Sequence, residues 1–142
     1  MACWHRLIVA AAIGLALTSC QADRDDAAGS IDLSGTAWAL ESIAGRDVSG
    51  EPPPFLRFDD DRQLSGNAGC NNFTGSYENK DGRLVIGPLA ITRMLCRGEA
   101  NEQERRFMAA LSDIDRYEIE DDLLLIFATG ADTATRLAPK VE

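Results

Sequence analysis

The chain has 142 residues, 45% of them apolar and 26% charged, with a formal net charge of −9. That size and balance suit one domain with a hydrophobic core of its own and set aside a disordered chain. The acid excess argues against nucleic acid as a partner, because phosphate binding needs a clustered basic face and the close pair Arg105 and Arg106 follows Glu102 and Glu104.

The chain opens with His5 and Arg6, an apolar run from Leu7 to Leu17, and then Thr18, Ser19 and Cys20, the order of a secretory signal. The run is short of the roughly 20 residues that cross a hydrocarbon core, and polar, acid-rich sequence follows it, so a transmembrane anchor fits less well. Leu17-Thr18-Ser19-Cys20 resembles the lipobox of bacterial lipoproteins. That resemblance implies removal of residues 1–19 as a signal peptide and acylation of Cys20; the plainer alternative is an ordinary signal with an incidental cysteine. Lipid on Cys20 makes the membrane the first expected partner, and Gln21 in place of Asp implies, by the same resemblance, an outer-membrane location facing the periplasm of a Gram-negative envelope. Residues 20–31 are polar and small, which reads as a lipidated flexible tether, and residues 32–142 read as the domain.

Along the domain, alternation of Trp38, Leu40 and their neighbours predicts a strand over 36–43 that closes at Gly45. Three prolines at 52–54 make an extended connection into a strand at 55–58, and Asp59-Asp60-Asp61 makes a turn. A strand at 62–65 runs into a glycine-rich corner at 66–72, followed by a strand at 73–77. Asp81-Gly82 is a hairpin turn, because both residues tolerate the positive φ such turns need. Strands follow at 83–86 and 89–94. Beyond Cys96 the period lengthens: Phe107, Met108, Leu111 and Ile114 line one face of a helix at 101–114, with Asn101 and Glu104 at capping-box spacing. A hairpin over 117–128 turning at Asp121-Asp122, and a strand at 133–137, complete the domain. About eight short strands and one helix predict a β-rich α+β fold, a curved antiparallel sheet or partly closed β-barrel packed on the helix.

His5 lies inside the signal and is the one histidine in the chain, so the mature part lacks Ser/His/Asp and Cys/His catalysis and histidine zinc ligation. No P-loop lysine or GxGxxG spacing is present. The expectation is therefore a protein that is not an enzyme, with no cofactor and no metal. Of four cysteines, Cys3 leaves with the signal and Cys20 takes lipid. Cys70 and Cys96 remain, either as a disulfide in an oxidising compartment or as two buried thiols. Gly66, Gly69, Asn71 and Asn72 offer an anion cradle on one reading and turn residues on the other. The acids at 59–61 and 121–122 offer calcium ligands on one reading and solvated turns on the other, and Trp38 and Phe73 read as core rather than ligand platform.

Three signatures line up: Leu33-Ser34-Gly35-Thr36 with Trp38; Gly69-Cys70-Asn71-Asn72-Phe73 with Gly75 and Tyr77; and residues 89–96, which hold Thr92, Met94 and Cys96. Together they resemble the META/HslJ-like domain family from about Leu33 to Leu137, with Leu95 where members often have Ala. The resemblance implies a β-rich domain carried on an envelope lipoprotein, with links to heat shock and novobiocin resistance in some members, and no established biochemical activity. Because both cysteines fall inside these motifs, the motif residues are expected to be structural. The leading functional expectation is a disulfide-stabilised, non-enzymatic envelope module that binds a protein or envelope partner in stress tolerance or drug resistance. The alternative is a carrier that holds a small apolar ligand in a barrel cavity.

Overall fold

A computed structural model describes residues 31–141. The signal segment, Cys20 and nearly all of the tether lie outside the described residues. In chain order the elements are β1 (Thr36–Ile43), β2 (Arg46–Asp47), β3 (Phe55–Phe58), β4 (Gln63–Asn67), β5 (Asn72–Lys80), β6 (Arg83–Ile86), β7 (Ala90–Ile91), α1 (Glu99–Ser112), β8 (Ile114–Glu120), β9 (Leu123–Ala128) and β10 (Thr135–Pro139). The sheet order is β6-β5-β4-β3-β1-β10-β9-β8, with β2 on β1 and β7 on β5. Every pairing is antiparallel. The outermost strands β6 and β8 lie against each other, so the sheet curls into a nearly closed barrel.

Period-2 patterning explains the strands. In β3, Leu56 and Phe58 turn inward; in β5, Phe73 and Tyr77 do, with Gly75 between them. The run Leu124 to Phe127 in β9 is buried throughout, because its outer face is covered as well: the Arg116 guanidinium sits 3.7 Å from the centre of the Phe127 ring. Inside the barrel, Leu40, Leu56, Phe58, Leu64, Phe73, Leu84, Leu124, Ile126 and Leu137 join Phe107 and Leu111 of α1 in one filled core. Phe73 meets Phe107 edge to face at 6.0 Å, which fixes the helix against the start of β5.

Several element bounds differ from the sequence reading: β5 runs on to Lys80, β8 opens at Ile114 and the last strand is Thr135–Pro139. β1 spans Thr36–Ile43 as expected, but Ala44 and Gly45, with φ of 47° and 80°, form a tight turn that lays an unexpected strand, β2, back on β1. β4 runs on through Gly66 and Asn67, because Gly66 lies between β3 and β5, where any side chain would collide with Phe55 and the Phe73 ring. The strand expected over 89–94 is reduced to Ala90–Ile91. The helix begins at Glu99 with Gly98 as its N-cap and ends at Ser112, so Ile114 opens β8 instead of closing the helix. With β2 and β7 counted, the sheet has ten strands where about eight were expected, and its curled antiparallel form with one packed helix is the fold expected.

Candidate functional site: the cysteine corner

Between β4 and β5 the chain turns through residues 68–71, and this corner gathers most of the motif residues. Gly69 has φ of 107°, and a Cβ there would lie 3.1 Å from Gln103 Nε2, so glycine answers both a backbone and a packing demand. Cys70 and Cys96 are joined in a disulfide whose Cα atoms are 6.1 Å apart, a separation that such a bridge spans readily.

Asn71, 5% exposed, is the hub. Its Oδ1 accepts from the Met94 amide at 2.7 Å and from Thr92 Oγ1 at 2.8 Å. Its Nδ2 donates to Glu104 Oε1 at 3.0 Å, while its backbone N–H donates to Glu104 Oε2 at 2.8 Å. The Asn72 amide donates to Thr92 Oγ1 at 3.1 Å, and the Thr92 amide returns a bond to Asn72 O at 3.0 Å. One buried side chain therefore ties the corner to the 92–96 segment and to α1. These bonds also explain why the predicted strand stops at Ile91: the Met94 amide and the Thr92 hydroxyl are taken by Asn71 rather than by a sheet neighbour. Glu104 does not complete a capping box, because both its oxygens serve Asn71. Asn101 Nδ2 instead donates to Cys96 O at 3.4 Å.

Next to this hub, Gln103 is buried on the same helix face as Phe107 and Leu111. Its Oε1 accepts from the Ser49 amide at 2.8 Å and its Nε2 donates to Ser49 O at 3.0 Å, pinning the segment between β2 and β3. The sequence reading missed Gln103. A glutamine one turn before Phe107 on an apolar stripe was the available signal, since a polar side chain there must find partners.

Other motif residues, Trp38 and Gly75 among them, lie apart from the hub. Trp38 is core on β1, and its Nε1 donates to Thr36 Oγ1 at 2.8 Å. Gly75 sits further along β5, where a Cβ would lie 2.7 Å from Leu89 Cδ2 and 3.0 Å from Pro88 O, so the 87–89 segment crosses β5 only because no side chain intervenes.

The corner is not an anion cradle. The amides of Ala68, Gly69, Asn71 and Asn72 already donate to Asn71 O, Asn67 Oδ1, Glu104 Oε2 and Thr92 Oγ1, and a carboxylate stands among them. Potential ligand atoms of Cys70, Cys96 and Glu104 lie within 4.8 Å of one another. With the sulfurs bonded to each other and Glu104 occupied by Asn71, the trio works as a junction. The acids at 59–61 act as local braces: Asp59 Oδ2 accepts from Ser65 Oγ at 3.2 Å and Asp60 Oδ1 from Ser34 Oγ at 3.1 Å.

The junction presents apolar side chains outward: Ile91, Met94 and Leu95 are 38%, 55% and 96% exposed, the last two between the exposed Arg93 and Arg97.

The META domain profile matches residues 31–140. The chain belongs to the META domain family. Heat shock protein HslJ of Escherichia coli is 30% identical to it over 128 residues, covering 87% of this chain and 89% of that protein. An NMR structure of a protein from Burkholderia xenovorans, 29% identical, matches with a TM-score of 0.66 over 78% of this chain and 85% of its own. A crystal structure of a DUF4847 family protein from Bacteroides vulgatus, 13% identical, matches with a TM-score of 0.53 over 75% of this chain and 93% of its own, and shares the fold alone. For this META domain, the two cysteine-bearing motifs form one built object: a disulfide and a buried asparagine holding an exposed loop.

Proposed function

We propose that this META-domain chain is a non-enzymatic lipoprotein of the cell envelope, anchored through lipid on Cys20 to the outer membrane and facing the periplasm, that docks a protein partner in stress tolerance or drug resistance. The observation that carries the reading is Leu95, 96% exposed beside Met94, in a segment held by the disulfide and by Asn71. Exposed apolar side chains on a rigid frame are suited to docking, because little ordering entropy is lost on contact. Flanked by Arg93 and Arg97 in an acidic protein, they match an apolar cleft with an acidic rim. Placement supports a protein partner over the anchoring membrane. Ile31, where the chain leaves the tether, is bonded to Asn79, whereas the loop is bonded to Asn72, seven residues or roughly 23 Å away along β5. The lack of any histidine outside the signal supports the non-enzymatic part, and the heat-shock name of the Escherichia coli relative supports the stress part.

The test is complementation. A deletion strain of the native host is challenged with heat and with novobiocin, then given the wild-type chain or the double variant Met94→Asp, Leu95→Asp. The proposal expects sensitivity that wild type cures and the variant does not, with both chains at equal abundance. A variant that cures as well as wild type removes the loop from the reading, and a deletion without phenotype removes the stress role. Intact mass of the protein from native membranes reads the acyl groups on Cys20 directly, and an unacylated chain overturns the anchor.

A further inference from the structure

Away from the corner, a groove of about 520 Å³ lies between α1 and the ends of β1, β9 and β10. Its helix wall is a stripe separate from the core stripe: Glu102, Arg106, Ala109, Ala110 and Asp113 recur at the three- and four-residue spacing of one helix face. Opposite stand Ile43, Ala44, Ala128 and Ala131. The groove stays open because five of its twelve lining residues are alanine, and its size falls in the range of roughly 300–1,000 Å³ that small ligands occupy.

Its charges are unevenly satisfied. Glu102 is paired with Arg105, and Asp113 Oδ1 accepts from Thr129 Oγ1 at 3.0 Å. Arg106, on the helix wall, has a buried Nε–H with no acceptor among the described residues, and Arg46 at the rim pairs with no acid among them. The described residues hold one other orphaned buried side-chain atom, Ser42 Oγ, on the residue next to the groove-lining Ile43. Arg106 nonetheless lines the groove, and a carboxylate is the strongest complement of a guanidinium.

We propose that this groove binds a small amphiphile, a monocarboxylate with an aliphatic chain, whose head is held by Arg106 with Arg46 at the rim and whose chain lies on the alanine walls. It is a separate site from the 91–95 loop and does not depend on the docking proposal. Decanoate is the probe. It is titrated into the full chain carrying Cys20→Ala, so that no acyl group on that residue competes, and backbone amide shifts are followed by NMR. Saturable shifts centred on Ala109, Ala128 and Ala131 are expected, with 1-decanol binding at least about tenfold more weakly. Arg106→Gln should weaken decanoate by a similar factor, and Ala109→Leu, at an exposed helix position, should block it by filling the groove. The amide spectrum of each variant reports whether the fold is kept, and Ala109→Leu serves if Arg106→Gln is unfolded. No saturable shifts, shifts centred on another surface, equal binding of decanol, or indifference to the folded variants would each overturn the proposal.

Discussion

The two ends of β5 are each tied down through an asparagine, and they are built to different depths. At the Asn72 end, the neighbouring Asn71 is buried, spends its side chain on two separate segments, the 92–96 loop and α1, and is backed by a disulfide. At the hairpin end, Asn79 is only half-buried; its Nδ2 donates to Ile31 O at 2.7 Å and its Oδ1 accepts from Tyr117 Oη at 3.0 Å. The first end replaces a sheet neighbour with side chains and must satisfy every amide it diverts. The second only secures the incoming chain to a sheet already complete. Depth of burial, rather than number of bonds, should decide which end the fold depends on, because a buried donor left unpaired has no water to turn to.

The largest expected effect that tests this contrast is loss of the disulfide. Cys70 and Cys96 are 26 residues apart, and releasing that loop in the unfolded chain should cost roughly 3 to 4 kcal/mol, read as a lower midpoint in urea for Cys70→Ala with Cys96→Ala. Reductant should lower the wild-type midpoint and leave the double variant unmoved; a wild type indifferent to reductant would mean that the thiols are not linked. Next comes Asn71→Ala, expected to cost about 3 kcal/mol, since it strands the Met94 amide and removes a donor from Glu104. Hydrogen exchange should then accelerate at Met94 in particular, and exchange that rises evenly across the domain would deny Asn71 its local role. Asn79→Ala should cost only about 1 kcal/mol, because water can replace its partners. Equal losses for the two asparagines would erase the contrast between the ends.

The contrast also marks what was legible in the sequence. β1, β3, β6 and the β8–β9 hairpin follow from neighbours along the chain: Trp38 and Leu40 alternate, and Asp81-Gly82 and Asp121-Asp122 both turn with positive φ. The cysteines were visible as the pair left over, and the motif residues as a resemblance. Their mutual placement was not legible, because it rests on bonds across long separations: 33 residues from Asn71 to Glu104 and 54 from Ser49 to Gln103. Glu104 had a sound local reading as a capping partner of Asn101, and a distant asparagine outcompeted it. Residues 92–94 have strand-like composition, and only the capture of the Met94 amide removes them from the sheet. Such failures gather at the corner, where local preference and tertiary bonding disagree. At the other end the Asp81-Gly82 turn was legible, but the bonds of Asn79 to Ile31 and Tyr117 were not, since they cross 48 and 38 residues.

The smallest effect concerns Tyr77, on β5 between the two ends. Its ring meets Phe58 edge to face at 4.9 Å and its hydroxyl donates to Asp59 O at 3.2 Å. Burial raises the phenol above its ordinary pKa of 10.0, the Ser34 hydrogen bond pulls the other way, and the charges of Asp32, Asp60 and Asp59 add to the rise. A folded pKa above the unfolded one means that the neutral phenol stabilises the fold in full below pH 10.0, and that this contribution is lost as pH climbs through the raised value. Tyr77→Phe keeps the ring and loses the hydroxyl, so at neutral pH it should cost about 1 kcal/mol for the bond to Asp59 O. Above its raised pKa wild type must either hold a phenolate near three carboxylates or unfold, whereas phenylalanine faces no such choice, so the difference between the two urea midpoints should shrink as pH climbs past 10.0. A difference that stays constant across that range would place the alkaline weakness elsewhere in the barrel and leave Tyr77 only its contacts with Phe58 and Asp59 O.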